Sequence, residues 1–146
     1  MNKPLQNNLK IKYDESAKVK NWKPPEGVYL SSFSDFKQDE RGSVILYFQI
    51  DDIKDSAYEY WVRNVYGPGH FRTMSAHMIN WLGEKEFKRM TQDGCYDFNP
   101  YLRRQALVDV GLVKKEPYNE ALRIINNLYP PVDDLNQLVG VGEFEI

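Results

Sequence analysis

GVYLSSFSDFKQDERGSVILYFQID, residues 27–51, decides the fold. In its second half Val44, Leu46, Phe48 and Ile50 alternate with Ile45, Tyr47 and Gln49. That period of two marks a strand whose faces meet different surroundings. In its first half Val28 and Leu30 alternate with Tyr29, Ser31 and Phe33, so a second strand is expected, with Val28 and Leu30 packed and the aromatic face wet. The QDERG between the runs, residues 38–42, is short, polar and ends in glycine, which makes the pair an antiparallel hairpin.

Working outward, YEYWVRNVY at 58–66 is rich in aromatic and β-branched residues and predicts a third strand. Trp61, Arg63 and Val65 share one parity; Tyr58, Tyr60, Val62 and Tyr66 share the other. Gly67-Pro68-Gly69 ends it. From residue 71 to 90 the spacing becomes helical, with Met74, Met78, Trp81 and Leu82 on one stripe, Thr73 or Ser75 as cap, and Gly83 as a break between two helices. Residues 91–100 read as a loop. Alternation returns over 102–113, with Ala106, Val108, Val110 and Leu112 inward. A turn over 114–119 leads to a last strand over 121–129, with Leu122 and Ile124 inward and Arg123 outward. Ahead of the hairpin, Leu9, Ile11 and Tyr13 alternate as a short edge strand before Pro24-Pro25.

This order predicts a mainly β protein, a five-stranded OB-fold barrel with one helix between strands 3 and 4 plugging an end. The competing architecture is an unrelated α+β sheet with a packed helix. The chain divides into a basic N-terminal segment (1–25), the OB-fold domain (26–131) and an acidic C-terminal tail (132–146).

Charge follows that division. The residues from 130 to the end contain Asp133, Asp134, Glu143 and Glu145 and no Lys or Arg, while the rest carries all 19 basic residues against 17 acids. Net charge is −2, so an overall basic field is excluded and any nucleic-acid binding rests on a local basic face plus stacking. Aromatic content is high at 14%, and Tyr dominates with ten copies, a residue suited to surfaces part apolar and part wet. The single cysteine, Cys95, excludes an internal disulfide and a multi-cysteine zinc site. No apolar run spans a bilayer and the N-terminus lacks a signal-peptide core, so a soluble, cytoplasmic protein with no membrane association is expected.

Single-stranded nucleic acid is held by aromatic faces along a groove and by cations that neutralise phosphates. The residues placed to do this are Tyr29, Phe33, Tyr47 and Trp61 for stacking, with Lys37, Arg63 and Arg123 beside them. Lys114, Lys115 and Tyr118 belong to the hairpin between the last strands, a loop that closes over ligand in OB-folds. Other chemistry is weakly supported. His70 and His77 form no metal pattern, and Asp51, Asp52 and Asp55 lie on one turn, where solvation is the ordinary explanation. Gly67-Pro68-Gly69-His70 lacks the Lys and Ser/Thr of a P-loop, and no nucleophile–base set is visible. Neither catalysis nor a cofactor is expected.

Pro25-Glu26-Gly27-Val28-Tyr29, the run 42–50, Val108-Asp109-Val110-Gly111 and the run 123–130 together resemble small single-stranded DNA-binding proteins encoded by phages and mobile elements. The resemblance covers about residues 24–131. It implies a non-enzymatic OB-fold that coats single-stranded DNA in replication or recombination. The tail resembles the partner-recruiting tips of bacterial single-stranded DNA-binding proteins. By that resemblance Asp133, Asp134, Glu143, Phe144, Glu145 and Ile146 bind a replication or recombination protein, although Glu145 separates the two apolar residues. Self-association is left open. The alternative is a protein-interaction module, such as a small phage inhibitor of a host enzyme, since a Tyr-rich face also suits a protein interface.

Overall fold

The computed structural model describes residues 10–115 and 120–131. The expectations for Leu9, for Tyr118 and for the tail residues Asp133, Asp134, Glu143, Phe144, Glu145 and Ile146 lie outside those residues, as does the side chain of Lys115.

Among the described residues the fold is mainly β, a six-stranded sheet with two helices. The strands are β1 (Val19–Asn21), β2 (Gly27–Gln38), β3 (Val44–Ile50), β4 (Tyr58–Tyr66), β5 (Gln105–Lys115) and β6 (Glu120–Tyr129), and their order in the sheet is β1-β4-β3-β2-β5-β6. Helices α1 (Phe71–Leu82) and α2 (Glu84–Met90) connect β4 to β5. The hairpin expected from residues 27–51 is present, with Phe33 opposite Phe48 and Gln38 opposite Val44.

The architecture differs from a closed five-stranded barrel in three ways. The sheet is open, it has six strands, and the helices follow the fourth strand. The additional strand is β1, which pairs parallel to β4 through Val19 and Tyr58, Lys20 and Glu59, and Asn21 and Tyr60. It stands at 19–21; residues 11–14 are not a strand, and a 3₁₀ turn over Glu15–Ala17 precedes it. β1 occupies part of the β4 edge, and further along a side chain crosses the gap to β6 instead of a ladder: Ile125 N–H donates to Asn64 Oδ1 at 3.2 Å.

Two packing expectations change for reasons of register, and a third because of position along the strand. Residues directly opposite in an antiparallel pair share a face. Phe33 faces Phe48, so the Tyr29–Ser31–Phe33 face of β2 is the inner one, and Phe33 is completely buried. On β6 the register shifts around Asn126, so Ile125 and Leu128 point inward while Leu122 is exposed. On β5 Leu112 keeps the parity of Val110 but lies opposite Arg123, toward the end of the strand, and is exposed, although Ala106, Val108 and Val110 are core as expected. Gly111 backs onto the Asn126 side chain, leaving no room there for a Cβ.

Helix α1 covers the inner face with Met74, Met78 and Trp81. Gly83, at φ 89°, ends it and starts α2, the left-handed geometry that glycine adopts without a Cβ clash. Neither Thr73 nor Ser75 caps α1; it grows from a 3₁₀ turn over Pro68–His70. The loop over 91–100 supplies Phe98 to the core, followed by Tyr101. His77 ties α1 to β4: its Nδ1 lies 2.7 Å from the Tyr66 hydroxyl. No helix among the described residues is long and apolar enough to cross a membrane.

Candidate nucleic-acid interface

The outer face of β2, β3 and β4 is built from three cross-strand rows. Ser32, Gln49 and Trp61 form the first, Asp35, Tyr47 and Arg63 the second, and Lys37, Ile45 and Val65 the third. A bulge at Ser34 makes the set possible. Phe33 and Lys37 have the same parity in sequence, and the extra residue turns Phe33 inward and Lys37 outward.

Above these rows lies Trp22, just past β1. Its ring centroid is 6.0 Å from Tyr47, edge-on, and 6.1 Å from Trp61, tilted. Three cations stand over the same rings. Lys20 Nζ is 4.2 Å from the Trp61 centroid, Lys37 Nζ 5.9 Å from Tyr47, and the Arg63 guanidinium 5.8 Å from Trp22. Trp22 remains 38% exposed, and Tyr47 and Trp61 are half-buried, so ring surface still reaches solvent. Lys20, Lys37 and Arg63 are themselves exposed. Among the described residues none of the three cations has a carboxylate at ion-pair distance.

The two acids that β2, β3 and β4 themselves carry on this face each accept a hydrogen bond. Glu59 Oε2 accepts from Trp61 Nε1 at 3.1 Å and from Gln49 Nε2 at 3.4 Å, which fixes the plane of the indole. Asp35 Oδ1 accepts from the Phe36 backbone N–H at 2.8 Å. The arrangement offers π faces for planar rings with positive charge alongside, the combination that binds single strands.

Of the sequence-predicted residues, Lys37, Tyr47, Trp61 and Arg63 come together here. Phe33 is a correction: wholly enclosed, it presents no face to a base. Tyr29 lies on the inner side; its hydroxyl donates to the Pro25 carbonyl at 2.8 Å, and burial raises its pKa. Arg123 donates from Nε to the Pro24 carbonyl at 3.0 Å and so ties β6 to the segment carrying Trp22. Lys114 is exposed on β5, with β2 between it and β3 in the sheet. Sequence reasoning passed over Trp22 and treated Lys20 as one scattered base among many. Their signal was the alternation of bases and an aromatic in Lys20-Asn21-Trp22-Lys23 just before Pro24-Pro25.

The acidic turn has a structural duty. Asp51 Oδ2 accepts from Ser32 Oγ at 2.7 Å and Asp52 Oδ2 from the Leu30 N–H at 2.6 Å, so both hold β2. Among the described residues no three His, Cys, Asp or Glu side chains converge as a metal site. Comparison with known proteins finds no matching family model, no matching curated protein and no matching solved structure.

Proposed function

We propose that this protein binds single-stranded DNA on the outer face of β3 and β4, without catalysing a reaction. The observation that supports this most is the surface cluster of Trp22, Tyr47 and Trp61 with Lys20, Lys37 and Arg63 among the rings. Bases stack on the rings and phosphates meet the cations, an association that tolerates any sequence because every base has a π face.

The finer fold belongs to the same proposal. Leaving β1 aside, β2 lies between β3 and β5, β4 lies beyond β3, β6 beyond β5, and the helices fall between β4 and β5. We take this as an OB-type arrangement, a partly open five-stranded barrel whose last seam, between β4 and β6, is spanned by the Asn64 side chain. In that arrangement β3 and β4 are the second and third strands, the face that binds oligonucleotides in OB-folds. The sequence resemblance adds the setting: coating of DNA during phage or mobile-element replication or recombination, with the acidic tail recruiting a protein partner.

The test is quenching of intrinsic tryptophan fluorescence by an oligothymidylate at low salt. Trp81 is buried at 3% exposure, so a change reports on Trp22 and Trp61. Saturable quenching, with weaker binding of a duplex of equal length, is the expected result. Absence of binding, or equal affinity for duplex, overturns the proposal. A Trp-, Tyr- and Arg-bearing face also suits a protein hot spot, and that reading predicts no quenching by oligonucleotide at any salt concentration.

A further inference from the structure

Where β2 ends beside the start of α1, four rings surround a hollow of about 270 Å³. Phe36, Phe71, Tyr96 and Phe98 line it, Lys37 borders it, and the exposed Cys95 thiol stands among the lining residues. The rings are held in place. The ring centroids of Phe36 and Phe98 are 5.4 Å apart, Tyr96 and Phe98 are stacked with planes 7° from parallel, and the Tyr96 hydroxyl lies 2.8 Å from Ser75 Oγ.

We propose that this hollow takes one base of the DNA strand bound on the adjacent face, with that nucleotide's phosphate on Lys37. The inference rests on the single-strand reading above and adds a specificity-determining subsite to it. Three features carry it. The hollow, at about 270 Å³, falls below the roughly 300–1,000 Å³ of sites that enclose a drug-sized ligand, so it suits one ring system. Half of its eight lining residues are aromatic, the others being Lys37, Gln38, Val44 and Cys95, which favours a planar π system over an aliphatic chain. Lys37 links it to the aromatic face: it borders the hollow, which lies on the inner side of the sheet with Phe36 and Val44, while its Nζ lies over Tyr47 on the outer side. Lys37 stands one cross-strand row beyond Tyr47, about 7 Å along the strands, within reach of a neighbouring nucleotide. A strand stacked on Tyr47 and Trp61 meets the hollow by turning past Lys37 round the end of β2. The enclosed base would be selected by shape, giving the protein a preference at one position and none elsewhere.

Cys95 is the chain's only cysteine, so alkylation reports on the hollow without mutating the stacking face. The reaction of Cys95 in the full chain with N-ethylmaleimide is timed with and without each of the four single-stranded homo-oligonucleotides, at concentrations that saturate tryptophan quenching, and the most protective one is used for the variant. Occupation of the hollow slows alkylation about tenfold, the equilibrium worth of a single stacked base. Phe71→Ala, checked by its thermal transition to be folded and likewise saturated with DNA, loses that protection. Saturated quenching with an alkylation rate unchanged by all four overturns the subsite and leaves the stacking face standing. Undiminished protection in saturated Phe71→Ala also overturns it, because the strand then merely shades the thiol. Failure of every oligonucleotide to bind at all removes both the face and the subsite.

Discussion

Trp61→Ala tests the stacking face most directly. Trp61 lies on β4 in the first row of the outer face, with Trp22 on one side, Lys20 Nζ 4.2 Å from its ring centroid, and its N–H anchored on Glu59. Loss of one stacked base costs about 1–3 kcal/mol. Because Trp22 and Lys20 already cover part of the ring, the lower half of that range applies, about 1–2 kcal/mol, or roughly 5–30-fold in Kd. The fold should survive. The substitution removes a cation–π contact of about 0.5–1 kcal/mol and a ring pair of about 0.5–1.5 kcal/mol, against a typical stability of about 5–15 kcal/mol. It also removes a hydrogen-bond donor from Glu59, so Trp61→Phe is the needed companion: it keeps a ring, loses the same N–H and should retain most of the affinity. Binding is read by anisotropy of a labelled oligothymidylate and folding by circular dichroism. A folded Trp61→Ala protein that binds at wild-type strength, with Trp61→Phe also unchanged, refutes the stacking role of this residue.

Salt dependence should be shallow: if Lys20, Lys37 and Arg63 each neutralise one phosphate, the slope of log K against log salt is about −2 for a single strand, and Arg63→Ala should reduce its magnitude by about 0.7; a slope several times steeper points to a different, more basic site. Burial lowers the pKa of His77 below its ordinary 6.5, partly offset by its bond to the Asn126 backbone, so the unfolded chain binds more protons than the folded one. Stability should therefore be full above about pH 6.5 and fall as the pH drops through that value; denaturant midpoints at pH 7.5 and 5.5 measure the loss, which His77→Phe should abolish. Removing residues 132–146 takes away four acids and no base, so DNA affinity should be unchanged or higher, with any gain shrinking as salt rises, and pull-down of a replication partner should be lost; unfolding of the truncated chain would show that the segment belongs to the folded domain instead.

The hairpin over 27–51, the aromatic strand over 58–66, and the split of 71–90 at Gly83 were legible in the sequence because each rests on local periodicity or on a glycine. Tyr47, Trp61 and Arg63 were legible for the same reason, since adjacent strands of known parity put them on one face. The sequence also determined that Val44, Leu46, Phe48 and Ile50 share a face, because alternation is intrinsic to a strand. It could not say which face of β2 is inside. Both faces of Val28–Phe33 carry large apolar residues, and only pairing with Phe48 puts Phe33 in the core. Bulges are equally silent in one sequence, yet the one at Ser34 brings Lys37 to Tyr47, and the shift around Asn126 exchanges Ile124 for Ile125 as the core residue. Trp22 reaches the face through a parallel pairing of β1 with β4, a contact between segments nearly 40 residues apart. Periodicity reports on neighbours along the chain; register, bulges and long-range pairing are decided by which faces bury the most surface together, and only the tertiary structure contains that information.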